Sequence, residues 1–146
     1  MHKIVDSTKA PHLIPRFREW VESEWGNVDS FENSAAGVQL PAPLLALDQQ
    51  QLLGGLSFTC HAKPNANANA KTKTTGIWIN TLYVAPEYRN RGIAAELLEA
   101  AQVAATKLSI EELYVFTDLP NIYERRGWKV IRSVKESKVL NKHLPD

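Results

Sequence analysis

The stretch Leu82-Tyr83-Val84-Ala85-Pro86-Glu87-Tyr88-Arg89-Asn90-Arg91-Gly92-Ile93-Ala94-Ala95 joins two contrasting patterns. To its left, residues 77–84 are rich in β-branched and aromatic side chains and predict a strand. To its right, Ile93, Leu97, Ala101 and Ala105 recur at i, i+4, and Ala94, Leu98 and Leu108 widen the apolar stripe. That spacing predicts an amphipathic helix. Pro86 ends the strand, because it cannot donate to a ladder. Gly92 falls where the turn becomes helix. A strand, a turn with Arg-x-x-Gly-x-Ala and a helix gather free backbone N–H groups at a positive helix end. Such an end is an anion site, and phosphate is the usual anion. Gly92, Ala94 and Ala95 are small enough to let a bulky phosphate approach the backbone.

These residues carry a family resemblance. Val-x-Pro-x-x-Arg-x-x-Gly-Ile-Ala, followed by an amphipathic helix, resembles the acetyl-CoA signature of the GNAT superfamily of N-acetyltransferases. A second piece agrees with it. Leu113-Tyr114-Val115-Phe116-Thr117 reads as a strand, and Ile122-Tyr123-Glu124-Arg125-Arg126-Gly127-Trp128 resembles the family's Leu-Tyr-x-x-x-Gly-Phe segment. A lone Arg-x-x-Gly-x-Ala occurs in many turns. The preceding strand and the downstream Tyr-x-x-x-Gly-Trp, in matching order and spacing, make the resemblance specific over residues 77–130. It implies the α/β acyl-CoA N-acyltransferase fold, with a mixed, mostly antiparallel, twisted sheet flanked by helices. It also implies acetyl-CoA as cosubstrate and a primary amine as acceptor.

Composition narrows the remaining classes. At 146 residues the chain suits a single domain with one sizeable core. A formal net charge of +1 gives no global field toward nucleic acid or a membrane surface. The one cysteine, Cys60, excludes an internal disulfide and fits a reducing compartment. No leader-like apolar core opens the chain, and no window has the ~18 apolar residues of a spanning helix. A soluble cytoplasmic protein is the expectation, and a homodimer stays open.

In chain order, residues 3–6 suit a short strand and 11–25 a helix, with Leu13, Phe17, Val21 and Trp25 at i, i+4. Ser7 or Thr8 is a candidate cap at its start, and Gly26 a candidate αL cap at its end. Residues 27–42 are polar and broken, with room for a short second helix. Residues 43–48 and 52–60 read as a hairpin around a polar turn. Residues 65–74 contain no large apolar side chain, so 62–75 is expected to be a mobile loop. After the Gly92 helix come the strand at 113–117, a short helix around 120–125, a turn at Gly127 and a strand from Trp128 onward. Residues 135–146 suit an edge strand or a tail.

The resemblance assigns roles to individual residues. The backbone from Asn90 through Arg91, Gly92, Ile93, Ala94 and Ala95 would hold the pyrophosphate, with the Arg89 and Arg91 side chains either adding charge or lying in solvent. Leu82, Tyr83 and Val84 would offer a strand edge to the pantetheine amides, since in the family the fourth and fifth strands splay apart beyond this point. Tyr123 matches the tyrosine that donates to the departing thiolate; as an unspecialised residue it would be a core aromatic. Trp20, Glu24 and Trp25 are candidate lining residues of the acceptor pocket, the tryptophans alternatively being core. Two family residues are missing. The strand Ile77-Trp78-Ile79-Asn80-Thr81-Leu82 has no glutamate to act as base, and Phe116 stands where the family has an asparagine. A water held by Asn80 or Thr81, or Glu24, Asp118 or His61, are the alternatives. The acceptor is open among small molecules and peptides. The rival reading is a non-catalytic acyl-CoA-binding or regulatory module.

Overall fold

The computed structural model describes residues 2–25, 39–64 and 75–144. The elements run β1 (Lys3–Asp6), α1 (Ile14–Trp25), β2 (Leu44–Asp48), β3 (Gln51–Leu56), β4 (Phe58–Ala62), β5 (Thr75–Ile79), β6 (Tyr83–Val84), α2 (Ile93–Lys107), β7 (Glu112–Thr117), α3 (Asn121–Glu124), β8 (Lys129–Val134) and β9 (Ser137–His143). They form two sheets, ordered β1-β2-β3-β6 and β4-β5-β7-β9-β8. Every pairing is antiparallel except β5 with β7, whose connection carries α2. A parallel pair needs such a crossover.

The helical stripe of α2 is buried as its spacing requires. Ile93, Leu97, Leu98, Ala101 and Ala105 join Leu44 and Ala46 of β2, Ile77 and Ile79 of β5, and Leu113 and Val115 of β7 in one core cluster. The alternate residues of β2, Leu45 and Leu47, belong to a second cluster with Phe17 and Val21 of α1. Successive strand residues point to opposite faces, so α1 and α2 cover opposite faces of this sheet. None of the described helices is long and apolar enough to cross a membrane.

Four sequence expectations change. The run 52–60 is two strands in different sheets, divided at Ser57. The run 77–84 is also two strands, with Asn80, Thr81 and Leu82 outside both. The two interruptions face each other: Asn80 N–H donates to the Ser57 carbonyl at 2.9 Å, and the Ser57 and Thr81 hydroxyls share a hydrogen bond of 2.6 Å. Third, β9 is an inner strand between β7 and β8, and the edge is β8, exposed along its whole length. Fourth, residues 11–13 form a 3₁₀ turn ahead of α1, and the side chain of Asp6 caps the preceding turn by accepting from the Thr8 N–H. The expected cap at Gly26, the second helix and most of the loop at 62–75 fall outside the described residues. Ala62 and Thr75, at the loop's margins, are paired strand residues.

Candidate active site

The site begins at the opening between the sheets. β5 and β7 pair only from Ile77↔Leu113 to Ile79↔Val115. Beyond Ile79 the chain bends, and β6 joins the other sheet through Gly54↔Val84 and Gly55↔Tyr83. A Cβ on Gly54 would lie 2.5 Å from the Tyr83 carbonyl oxygen, so the close approach of β3 to β6 requires glycine there. Ala85 N–H donates to the Leu53 carbonyl. In an antiparallel ladder alternate residues face the partner, so the N–H and C=O of Val84 point away from β3, toward the opening.

The turn beyond β6 has the geometry of an anion site. A 3₁₀ turn at Pro86–Tyr88 leads to Asn90 at φ +64 and Gly92 at φ +81. Gly92 is the N-cap of α2 and offers no side-chain cap; the first helical bond runs from Glu96 N–H to its carbonyl. The N–H groups of Ile93, Ala94 and Ala95 are therefore without intrahelical partners, at the positive end of the helix dipole. A Cβ built on Gly92 meets nothing within 4 Å. The position beside the N-cap is therefore uncrowded.

The arginine side chains do other things. Arg89 Nε donates to the Val84 carbonyl at 2.8 Å, and its guanidinium lies 5.5 Å from the Tyr83 ring centroid. The Arg91 guanidinium sits 5.7 Å from the Tyr88 ring. Sequence reasoning missed the Arg89 contact. The spacing Val84 to Arg89 carries no signal for it, because the bond depends on the 3₁₀ turn between them. Leu82 is half-buried in the break and belongs to no strand, so the regular edge is shorter than the sequence predicts and consists of Tyr83 and Val84. Tyr83 packs against Trp20 and Trp25 of α1, at 5.9 Å in each case. Trp25 is 50% exposed, and Glu24 is exposed beside it.

β7 runs past its last pair with β5 into Phe116 and Thr117, and a short connection leads to α3. Tyr123 is 4% exposed, packed edge-on against Trp128 at 5.3 Å. Burial pushes its phenol well above the ordinary value of 10, so it keeps its proton at any physiological pH. Among the described residues its hydroxyl has no hydrogen-bond partner. Tyr123 is thus a core aromatic whose phenol keeps its proton. Gly127, at φ +88, turns the chain from α3 into β8.

On the face of the five-stranded sheet away from α2 lies a cavity of about 330 Å³ lined by Thr59, His61, Trp78, Asn80, Phe116 and Val139, among others. Two of the candidate proton acceptors, Asn80 and His61, are in that wall. Thr81 is not: it is buried in its bond to Ser57. Asp118 is exposed and outside the lining.

Residues 5–129 match the model of the acetyltransferase (GNAT) family, and the chain belongs to that family. Among curated proteins none is a significant sequence match. Solved structures share the fold at low identity. One is the PaiA N-acetyltransferase of Thermoplasma acidophilum in complex with coenzyme A, 16% identical, TM-score 0.62, covering 98% of this chain and 99% of that one. A GNAT family acetyltransferase of Elizabethkingia anophelis with acetyl-CoA bound is 13% identical, TM-score 0.68, with 98% of each chain covered. Naa50 of Arabidopsis thaliana, in complex with the bisubstrate analogue CoA-Ac-MVNAL, is 16% identical, TM-score 0.65, covering 98% of this chain and 99% of that one.

Proposed function

We propose that this protein transfers an acetyl group from acetyl-CoA to a primary amine, by direct attack when both substrates are bound. The observation that carries the reading is the placement of an anion-binding turn beside an unpaired strand edge where the sheets separate. The open N–H groups of Ile93, Ala94 and Ala95 suit a pyrophosphate. The outward N–H and C=O of Val84 suit an amide-bearing arm. The Val84 carbonyl is available to that arm once Arg89 releases it. Acetyl-CoA supplies a thioester, and the remaining demands on the chain are two proton movements.

An alkylammonium, with a pKa of about 10.4, must lose a proton before it can attack. Asn80, through a held water, and His61 are the polar groups on the cavity wall suited to receive it. The thiolate that departs gains from a hydrogen-bond donor. Tyr123, kept protonated by burial and with its hydroxyl uncommitted, is the residue assigned that role.

A non-catalytic acyl-CoA-binding module remains a second reading, favoured by the lack of any carboxylate on β5. One experiment separates the two. Thiol release from acetyl-CoA is followed against a panel of amines, beside calorimetry with CoA alone. Turnover with an amine is the expected result. Binding of CoA with no turnover on any acceptor would establish the module.

A further inference from the structure

The cavity on the outer face of the five-stranded sheet has a chemistry of its own. Thr59 pairs with Trp78 across β4 and β5, and Phe116 with Val139 across β7 and β9. These residues alternate with the core positions Cys60, Ile77, Val115 and Leu140, so they share the opposite face. Indole, phenyl and aliphatic surface make up most of the wall. Phe116 is 57% exposed, an apolar ring left with one face uncovered. At about 330 Å³ the cavity lies at the small end of ligand pockets.

Two polar atoms in this wall are buried without partners. Thr59 is 1% exposed, and its Oγ1 makes no hydrogen bond; the indole Nε1 of Trp78 is likewise unpaired. Buried polar groups normally find partners, and a small shift of either side chain would present one to a ligand. The wall carries no carboxylate among the described residues. The acidic side chain that β7 presents on this face, Glu112, is engaged by the Tyr114 hydroxyl at 2.8 Å, by the Asn141 amide and by His143 at 3.4 Å. A polycation entering this cavity would shed water from several ammonium groups, and no described carboxylate of the wall would compensate them.

We infer that the acceptor is an amine with a single charge and an aromatic or similarly apolar body, seated against Phe116 and Trp78. The inference rests on the acetyl-transfer reading for its use, but the cavity's preference is a separate property. The shared chemistry, an aryl-bearing primary amine, occurs both in free arylalkylamines and at a peptide amino terminus.

The test compares 2-phenylethylamine, a peptide with an amino-terminal phenylalanine, and spermidine in the thiol-release assay. Each is also titrated into the CoA-loaded protein by tryptophan fluorescence. One or both aryl amines should exceed spermidine in kcat/KM by about tenfold or more, the scale on which an apolar pocket discriminates. Which of the two leads identifies the source. Phe116→Asp places a carboxylate on the wall at an exposed position. It should reverse the preference toward spermidine while leaving CoA affinity unchanged by calorimetry. Aryl-amine binding without turnover would uphold this inference and overturn the acetyl-transfer reading. Preference for spermidine by the wild-type protein, or no binding of either aryl amine, would overturn the inference itself.

Discussion

Tyr123 is a core aromatic to which we also assign the donor role toward the departing thiolate. Its ring fills the core against Trp128, and its hydroxyl, without a partner, is free to donate. Tyr123→Phe removes the donor and keeps the ring. Turnover should fall by about 10²–10⁴-fold, the usual worth of a positioned acid. CoA affinity should change little, because the contact strengthens only as charge develops on sulfur. A variant retaining more than about half of wild-type turnover, with chemistry rate-limiting, would leave the reaction without an identified acid. At this scale the sequence was informative where backbone chemistry decides. Gly92 stands at the junction of turn and helix, as the sequence reading placed it, and the structure adds its left-handed conformation. It was uninformative where a side chain had a choice of partner. Arg89 has charge enough for a phosphate, yet in this structure it bonds the Val84 carbonyl and covers Tyr83.

At the scale of elements, the opening between the sheets is tied by one buried pair. Ser57 and Thr81 are 0% and 2% exposed and their hydroxyls bond each other, beside the Asn80 N–H to Ser57 carbonyl bond, at the two points where apparently continuous strands break. Thr81→Val should cost about 1–3 kcal/mol in chemical denaturation, since it leaves the Ser57 hydroxyl buried and unmatched. Adding Ser57→Ala should recover part of that loss, because replacing both partners by apolar groups removes the unmatched donor. A double variant as destabilised as the sum of the singles would show that the pair does not act together. The breaks were not legible beforehand. Residues 52–60 and 77–84 are apolar enough to pass as single strands, and a small polar residue within a strand is a weak signal. Only the pairing across two strands distant in sequence reveals that both interruptions serve one bend. The helix α2 was legible over its whole length, because its stripe of Ile93, Leu97, Ala101 and Ala105 meets a core on one side.

Across the whole molecule, the fold could be read from its central portion because the turn, the helix and the Tyr123 segment are local. The inner position of β9 could not, since it depends on which strands β7 accepts as neighbours. Two buried tyrosines give the molecule a shared pH limit. Burial raises the phenols of both, that of Tyr114 to about 12 with added effect from Glu112. A phenol with a raised folded-state pKa favours the folded state fully below its unfolded value of about 10, and that contribution fades as pH climbs through the folded value. The melting temperature should therefore begin to fall above about pH 10. Replacing either tyrosine by phenylalanine should blunt the alkaline fall. A melting temperature unchanged to pH 12 would contradict the buried, protonated state of Tyr114.

If acetyl-CoA is held at the turn where the two sheets part, calorimetric titration of wild-type and Gly92→Asp protein will show it. A Cβ at this position meets no neighbour within 4 Å, and aspartate tolerates the left-handed backbone better than most residues, so the strain at φ +81 should leave the fold intact. Its carboxylate would stand before the open N–H groups of α2 and repel the pyrophosphate. Affinity should fall about a hundredfold or more, the equivalent of losing one or two charged hydrogen bonds. Equal affinities in two folded proteins would contradict the account and move the cosubstrate away from this turn.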